Sequence, residues 1–116
     1  MSNPISREDL LRQEVVENTE FLRDDEGGRD VNNLVISKGL PIGDVLLAGF
    51  VENEDNGDQY GLLVVEDGQC VVFELDRYGA EKRWERVDDL SFLDDEFSTA
   101  SVAVAMKRSG DVPSVE

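Results

Sequence analysis

Between Asp44 and Leu90 the chain carries four β-rich segments joined by connections too short to hold a crossover helix. Parallel pairing needs a crossover of a dozen residues or more, so this spacing leaves an antiparallel meander as the natural solution. Val45–Val51 is apolar enough for a buried strand. The polar stretch Asn53-Glu-Asp-Asn-Gly-Asp58 follows, with an Asn-Gly turn signal. Tyr60–Glu66 and Cys70–Leu75 flank Asp67-Gly68, which reads as a two-residue hairpin. In Cys70–Leu75, Val71, Phe73 and Leu75 share one face, while Cys70, Val72 and Glu74 share the other. Tyr78-Gly79 marks the next turn. The fourth strand is expected over Lys82–Val87, with Arg83, Glu85 and Val87 alternating against Trp84 and Arg86.

Helical periodicity brackets this region. Ser6 is a good N-cap, with Asp9 three residues on, and Ile5 and Leu10 occupy the positions of a hydrophobic staple. Leu11, Val15, Asn18 and Leu22 then recur at helical spacing, and Gly27-Gly28 is expected to end a helix of about five turns. Asp30–Leu40 fits a short helix by the spacing of Val31, Leu34, Val35 and Lys38, yet Leu34-Val35-Ile36 also fits a strand. From Ser91 to Arg108 the reading is a loop and then a helix. Asp94-Asp95-Glu96 suits its start and Lys107-Arg108 its end, and the alternation of Val102, Val104 and Met106 keeps an edge strand as the alternative.

Together these predict one α+β domain over residues 1–116, with an ordered core of about 5–108 and a flexible tail over 109–116. The architecture expected is a four-stranded antiparallel β-meander with an N-terminal amphipathic helix and a C-terminal helix packed on one face. The opposite face would then be partly solvated or used for pairing.

Charge narrows the environment. Acids number 27 against 11 bases, a net charge of −16, and only Lys38, Lys82 and Lys107 are lysines. Three causes compete: a coding bias, visible also in 15 valines against three isoleucines; a cytoplasm of molar salt; or an acidic face that imitates nucleic acid or meets a basic partner. Molar salt shortens screening to a few ångströms, so self-repulsion is tolerated and short carboxylates hold water. The composition resembles that of extreme halophile proteins, a likeness of habitat and not of family. No apolar run reaches the ~20 residues of a membrane span. Met1–Leu10 lacks the basic and apolar regions of a secretory signal, and Cys70 has no internal disulfide partner, so a cytoplasmic location is expected.

Missing residue types limit the chemistry. Without histidine there is no Ser-His-Asp or Cys-His catalysis and no histidine-ligated zinc. A single cysteine removes CxxC redox and cysteine-cluster metal sites, and Gly39, Gly43 and Gly49 are wrongly spaced for a phosphate-binding loop. Counted as a calcium loop, Asp55 to Glu66 puts Gly57 at position three and Tyr60 at position six, and fails. Paired acids such as Asp24-Asp25, Asp88-Asp89 and Asp94-Asp95 do not converge merely by adjacency. No catalytic residue, cofactor or metal is therefore expected.

The local anomaly is cationic. Arg77, Lys82, Arg83 and Arg86 fall within ten residues, interleaved with Tyr78 and the only tryptophan, Trp84. Arginine and tryptophan are enriched at interface hot spots. The competing reading is that these bases pair with Glu74, Glu81 and Glu85 and blunt a sheet edge. The functional expectation is a non-enzymatic protein-interaction or regulatory module of a salt-rich cytoplasm, contacting a protein partner through Arg77, Tyr78, Lys82, Arg83, Trp84 and Arg86. The alternative is an acidic inhibitor, either a nucleic-acid mimic or an immunity-type protein. Direct nucleic-acid binding is not expected, because the overall field repels phosphate, and no membrane is expected as a partner, because no apolar run is long enough to span one; homodimerisation stays open.

Overall fold

The computed structural model describes residues 6–89, 93 and 97–110. Helix α1 spans Arg7–Asp24, and the Ser6 hydroxyl caps it by accepting the Asp9 N–H at 3.1 Å. Leu10 is exposed, while its expected staple partner Ile5 lies outside the described residues. The helix stops before the glycine pair. Asp25 turns extended, and its carboxylate accepts the Gly27 N–H at 2.8 Å, so Glu26–Gly28 forms a short 3-10 turn instead. Gly28 has no room for a side chain, because a Cβ there would lie 2.3 Å from the Phe21 carbonyl oxygen. The chain passes directly into α2, Arg29–Ser37, which settles the ambiguous segment as a helix.

Four strands follow: β1 Leu46–Glu52, β2 Gln59–Val64, β3 Cys70–Leu75 and β4 Glu81–Val87. They lie in sheet order β1-β2-β3-β4, every pair antiparallel. The β2–β3 connection is longer than the two residues expected. Val65 donates its N–H to the Gln69 carbonyl at 2.8 Å, and Glu66–Gly68 forms a 3-10 turn closed by Gly68 at φ 77°. A left-handed glycine at this place is the usual closure of a three-residue hairpin loop. The last element, α3, covers Ala100–Ser109 and ends on left-handed Gly110 at φ 77°, so the edge-strand alternative fails. The acids expected to start it, Asp94–Glu96, lie outside the described residues, as do residues 111–116.

The expected N-terminal helix, four-stranded antiparallel sheet and C-terminal helix are all present. Strand pairing divides the apolar side chains into two clusters. On one face Leu46, Leu62, Val64, Cys70 and Val72 pack with Val15 of α1, with Leu93 and Phe97, and with Ala100, Ala103, Val104 and Met106. On the other, Leu47, Leu63, Val71, Phe73 and Leu75 pack with Val31, Leu34 and Val35 of α2 and Leu22 of α1. The face expected to be partly solvated is therefore covered. The physical reason is that β3 alternates two apolar rows, Val71/Phe73/Leu75 and Cys70/Val72, and each row needs a cover.

Helix α1 contributes to both clusters because it lies along the outer edge of β1. There Thr19, fully buried, accepts the Leu47 N–H at 3.1 Å. Asn18 donates to the Ala48 carbonyl at 3.3 Å, and the buried Thr99 hydroxyl donates to the same oxygen. Ala48 is the extra residue of a β-bulge between Leu47 and Gly49, which takes its carbonyl out of the regular ladder. Arg23 fixes the far end of α1 by donating to the Gly43 carbonyl at 2.7 Å.

Candidate functional site

The cationic hairpin sits at the opposite edge of the sheet. Its turn is shaped by Asp76, whose carboxylate accepts the N–H groups of Tyr78 at 2.8 Å and Ala80 at 2.9 Å, while Gly79 takes φ 84°. Self-bonded aspartate turns of this kind need no partner to form. They throw Tyr78 outward, 78% exposed, with the Arg77 guanidinium 4.8 Å from its ring centroid. The stem of Arg77 leans on the β1–β2 loop at Gly57. That loop is built the same way, with Asn53 accepting the Asp55 N–H and Asn56 accepting the Asp58 N–H.

The four candidate residues on β4, Lys82, Arg83, Trp84 and Arg86, do not share one face. Arg83, Glu85 and Val87 point towards the α1/α3 side; Val87 packs on the first cluster, and Arg83 bonds Glu85 at 2.6 Å. Trp84 points towards the α2 side, paired with Phe73 across the ladder and half-buried against the second cluster. Arg86 is opposite Val71 on that same side, with its guanidinium donating to Gln69. Lys82 is the extra residue of a bulge facing Glu74 and Leu75, and its ammonium lies 2.7 Å from Asp58 and 3.2 Å from Glu74. The hydrogen bonds that the Lys82 ammonium donates to these two carboxylates raise its pKa above the ordinary value.

Two of the three acids that could neutralise the hairpin do bond its bases: Glu74 holds Lys82 and Glu85 holds Arg83. The third, Glu81, binds Lys38 at 2.8 Å. Exposed pairs of this kind contribute about 0–1 kcal/mol each, so they tidy the surface more than they hold the fold. Lys38 is the residue that sequence reasoning missed. From the end of α2 its ammonium lies 5.2 Å from the centroid of the Trp84 ring, so the indole has a cation on its outer side and the core beneath it. A shallow cleft continues from here, lined by Asp30, Asn33, Leu34, Ser37, Tyr78 and Glu81. No local signal links Lys38 to the hairpin, because the contact exists only once α2 covers the second face.

Cys70 is buried on the first face beside Val72. Asp55 and Glu66 stand at opposite ends of β2, and among the described residues no group of three or more Cys, Asp or Glu could hold a metal ion. No helix among them is long and apolar enough to cross a membrane. Chemically, the arrangement offers directed cationic donors, one exposed phenol and a half-exposed indole along an open strand.

No protein-family model, curated protein or solved structure matches this chain.

Proposed function

We propose that this protein is a non-enzymatic interaction module that meets a protein partner through the β3–β4 hairpin and works in a salt-rich cytoplasm. The observation that carries the reading is the Arg77–Tyr78 tip, an exposed aromatic ring under a guanidinium. It adjoins a strand that brings three more of the 11 bases on a chain of net charge −16. A large ring with restrained rotamers buries much area on binding at low entropic cost, and arginine adds directed hydrogen bonds. Trp84 belongs to the same surface, but its hold on the core makes it an anchor of the hairpin as much as a contact.

The salt-rich setting is supported by where carboxylates are exposed: along α1, in the β1–β2 loop, on β4 and just after it. A dispersed coat holds hydration everywhere, whereas a mimic of nucleic acid needs a ridge. One feature favours the acidic-inhibitor reading as a second: Glu17, Glu20, Asp24 and Asp25 surround Phe21 in a depression on α1, a shape suited to a lysine or arginine side chain.

The test uses the full chain as bait in native lysate at high KCl. Tyr78→Ala with Arg83→Ala should abolish capture of the partner while circular dichroism stays unchanged; retained capture discards the hairpin. Melting temperature should climb as KCl rises to about 1 M, where screening falls to about 3 Å. A flat or falling curve discards the salt-rich setting. Loss of capture by Glu20→Lys with Asp24→Lys, in place of the hairpin variant, would favour the inhibitor.

A further inference from the structure

We infer that β4 is a self-pairing edge: two copies of this chain join antiparallel along Glu81–Val87, with Trp84 at the two-fold axis, and extend the sheet across both molecules. The inference rests on the reading of the hairpin as a contact surface and names its occupant as a second copy.

Three observations lead there. The first is the alternation of the site. Arg83 and Glu85 flank one side of β4 and Trp84 and Arg86 the other, so a body docked on either face meets only one of these two rows. An occupant lying along the edge meets both rows. The second is that the two edges of the sheet are treated differently. At β1 the backbone of Leu47 and Ala48 is taken up by Thr19, Asn18 and Thr99, whereas among the described residues β4 has a strand neighbour, β3, on one side only. A strand edge with free N–H and C=O groups is a template for another strand.

The third is charge complementarity, which selects the occupant. Antiparallel pairing about Trp84 sets Arg83 of each copy opposite Glu85 of the other, two cross-strand ion pairs from one symmetric match. Within one molecule these two side chains already meet at 2.6 Å, so they stand on the same side of the strand and have only to exchange partners. The same register brings Lys82 towards the other copy's Arg86. Both cations are drawn back onto their own sheet, Lys82 by Asp58 and Glu74 from its bulge, and Arg86 by Gln69. The two rings of Trp84 then meet across the axis.

Consequences follow for size and salt. A seven-residue strand pair buries less than a standard interface, so the dimer is expected to be weak and transient. Two bodies of net charge −16 repel one another, so association strengthens with KCl. Because α1 and Thr99 occupy the β1 edge at Leu47 and Ala48, a continuous second pairing edge is not offered, and assembly is expected to stop at two instead of growing into a fibre.

Sedimentation velocity of the full chain in about 1 M KCl, from about 5 to 500 µM, reads this directly. A monomer–dimer equilibrium with nothing larger is expected. Arg83→Glu and Glu85→Arg should each weaken the dimer severalfold, since each turns both cross-strand attractions into repulsions that high salt screens only in part. The double exchange R83E/E85R should restore it, and circular dichroism checks that every variant is folded. A wild type that stays monomeric throughout, assembly beyond the dimer, or a double exchange that fails to restore association each overturns the inference. A monomeric wild type whose lysate capture still depends on Tyr78 and Arg83 leaves the hairpin as a contact surface for a different protein, so the two readings fail separately.

Discussion

The two edges of this sheet are built on opposite principles. At β1 polar side chains are buried and spent on backbone: Thr19 and Thr99 are almost fully enclosed, and both bond the bulge at Leu47 and Ala48. At β4 polar side chains are long, charged and exposed, and they bond each other. The first edge exchanges water for fixed partners, so losing one partner leaves a buried group unsatisfied. The second keeps its water, so losing one partner leaves little behind. A chain can thus close one side of a sheet with two threonines and an asparagine, and leave the other available with arginine and lysine.

Substitutions can break this contrast or sharpen it. The largest effect is expected at Gly61→Ala, where a Cβ would fall 2.2 Å from the Gly49 carbonyl oxygen, between β1 and β2. Backbone cannot move aside as a side-chain tip can, so a loss of about 3 kcal/mol is expected in urea unfolding. Thr19→Val keeps shape and removes the acceptor of the Leu47 N–H. It should cost about 2 kcal/mol, and faster amide exchange at Leu47 would locate the damage. Trp84→Ala removes a half-buried ring from the second cluster, for about 1.5 kcal/mol. If it cost as much as a fully buried aromatic, the open edge would be structural after all.

Arg83→Ala should change stability by less than about 0.5 kcal/mol, because its ion pair is exposed. The smallest expected effect is a pH dependence. The Lys82 ammonium is hydrogen-bonded by Asp58 and Glu74, so its folded pKa stands above the ordinary 10.5. Its contribution is complete below that ordinary value and is lost as pH rises through the folded one. Urea midpoints of the native chain and Lys82→Met should converge above the folded pKa and differ slightly at pH 8.

Much of this was legible in the chain, for local reasons. Ser6 with Asp9, the β-rich segments at short spacing, and the opposed rows of β3 are all set by near neighbours. The β1–β2 loop and the left-handed glycines follow from the same rules. What stayed hidden depends on contacts between distant segments. That α2 would cover the second face could not be read, because Val31, Leu34 and Val35 fit a helix or a strand equally until Phe73 and Leu75 supply a surface for them. The Asp67-Gly68 signal was read one residue too short, since Val65 and Gln69 close the loop outside it. At the candidate site, the cations and aromatics were visible as a cluster. Their division between two faces followed from strand alternation, but Lys38 and Asp58 arrive from other elements.

The double seal at Ala48 carries a consequence for biogenesis. Asn18 and Thr19 leave the ribosome before the strand they close, whereas Thr99 follows its acceptor by 51 residues. At about 5–20 residues per second, that carbonyl is expected to wait several seconds for its second donor. During this interval the bulge at Leu47 and Ala48 is held by α1 alone. Thr19→Val should accordingly raise co-translational aggregation more than Thr99→Val does, and equal yields of soluble product from the two would show that order of emergence is immaterial.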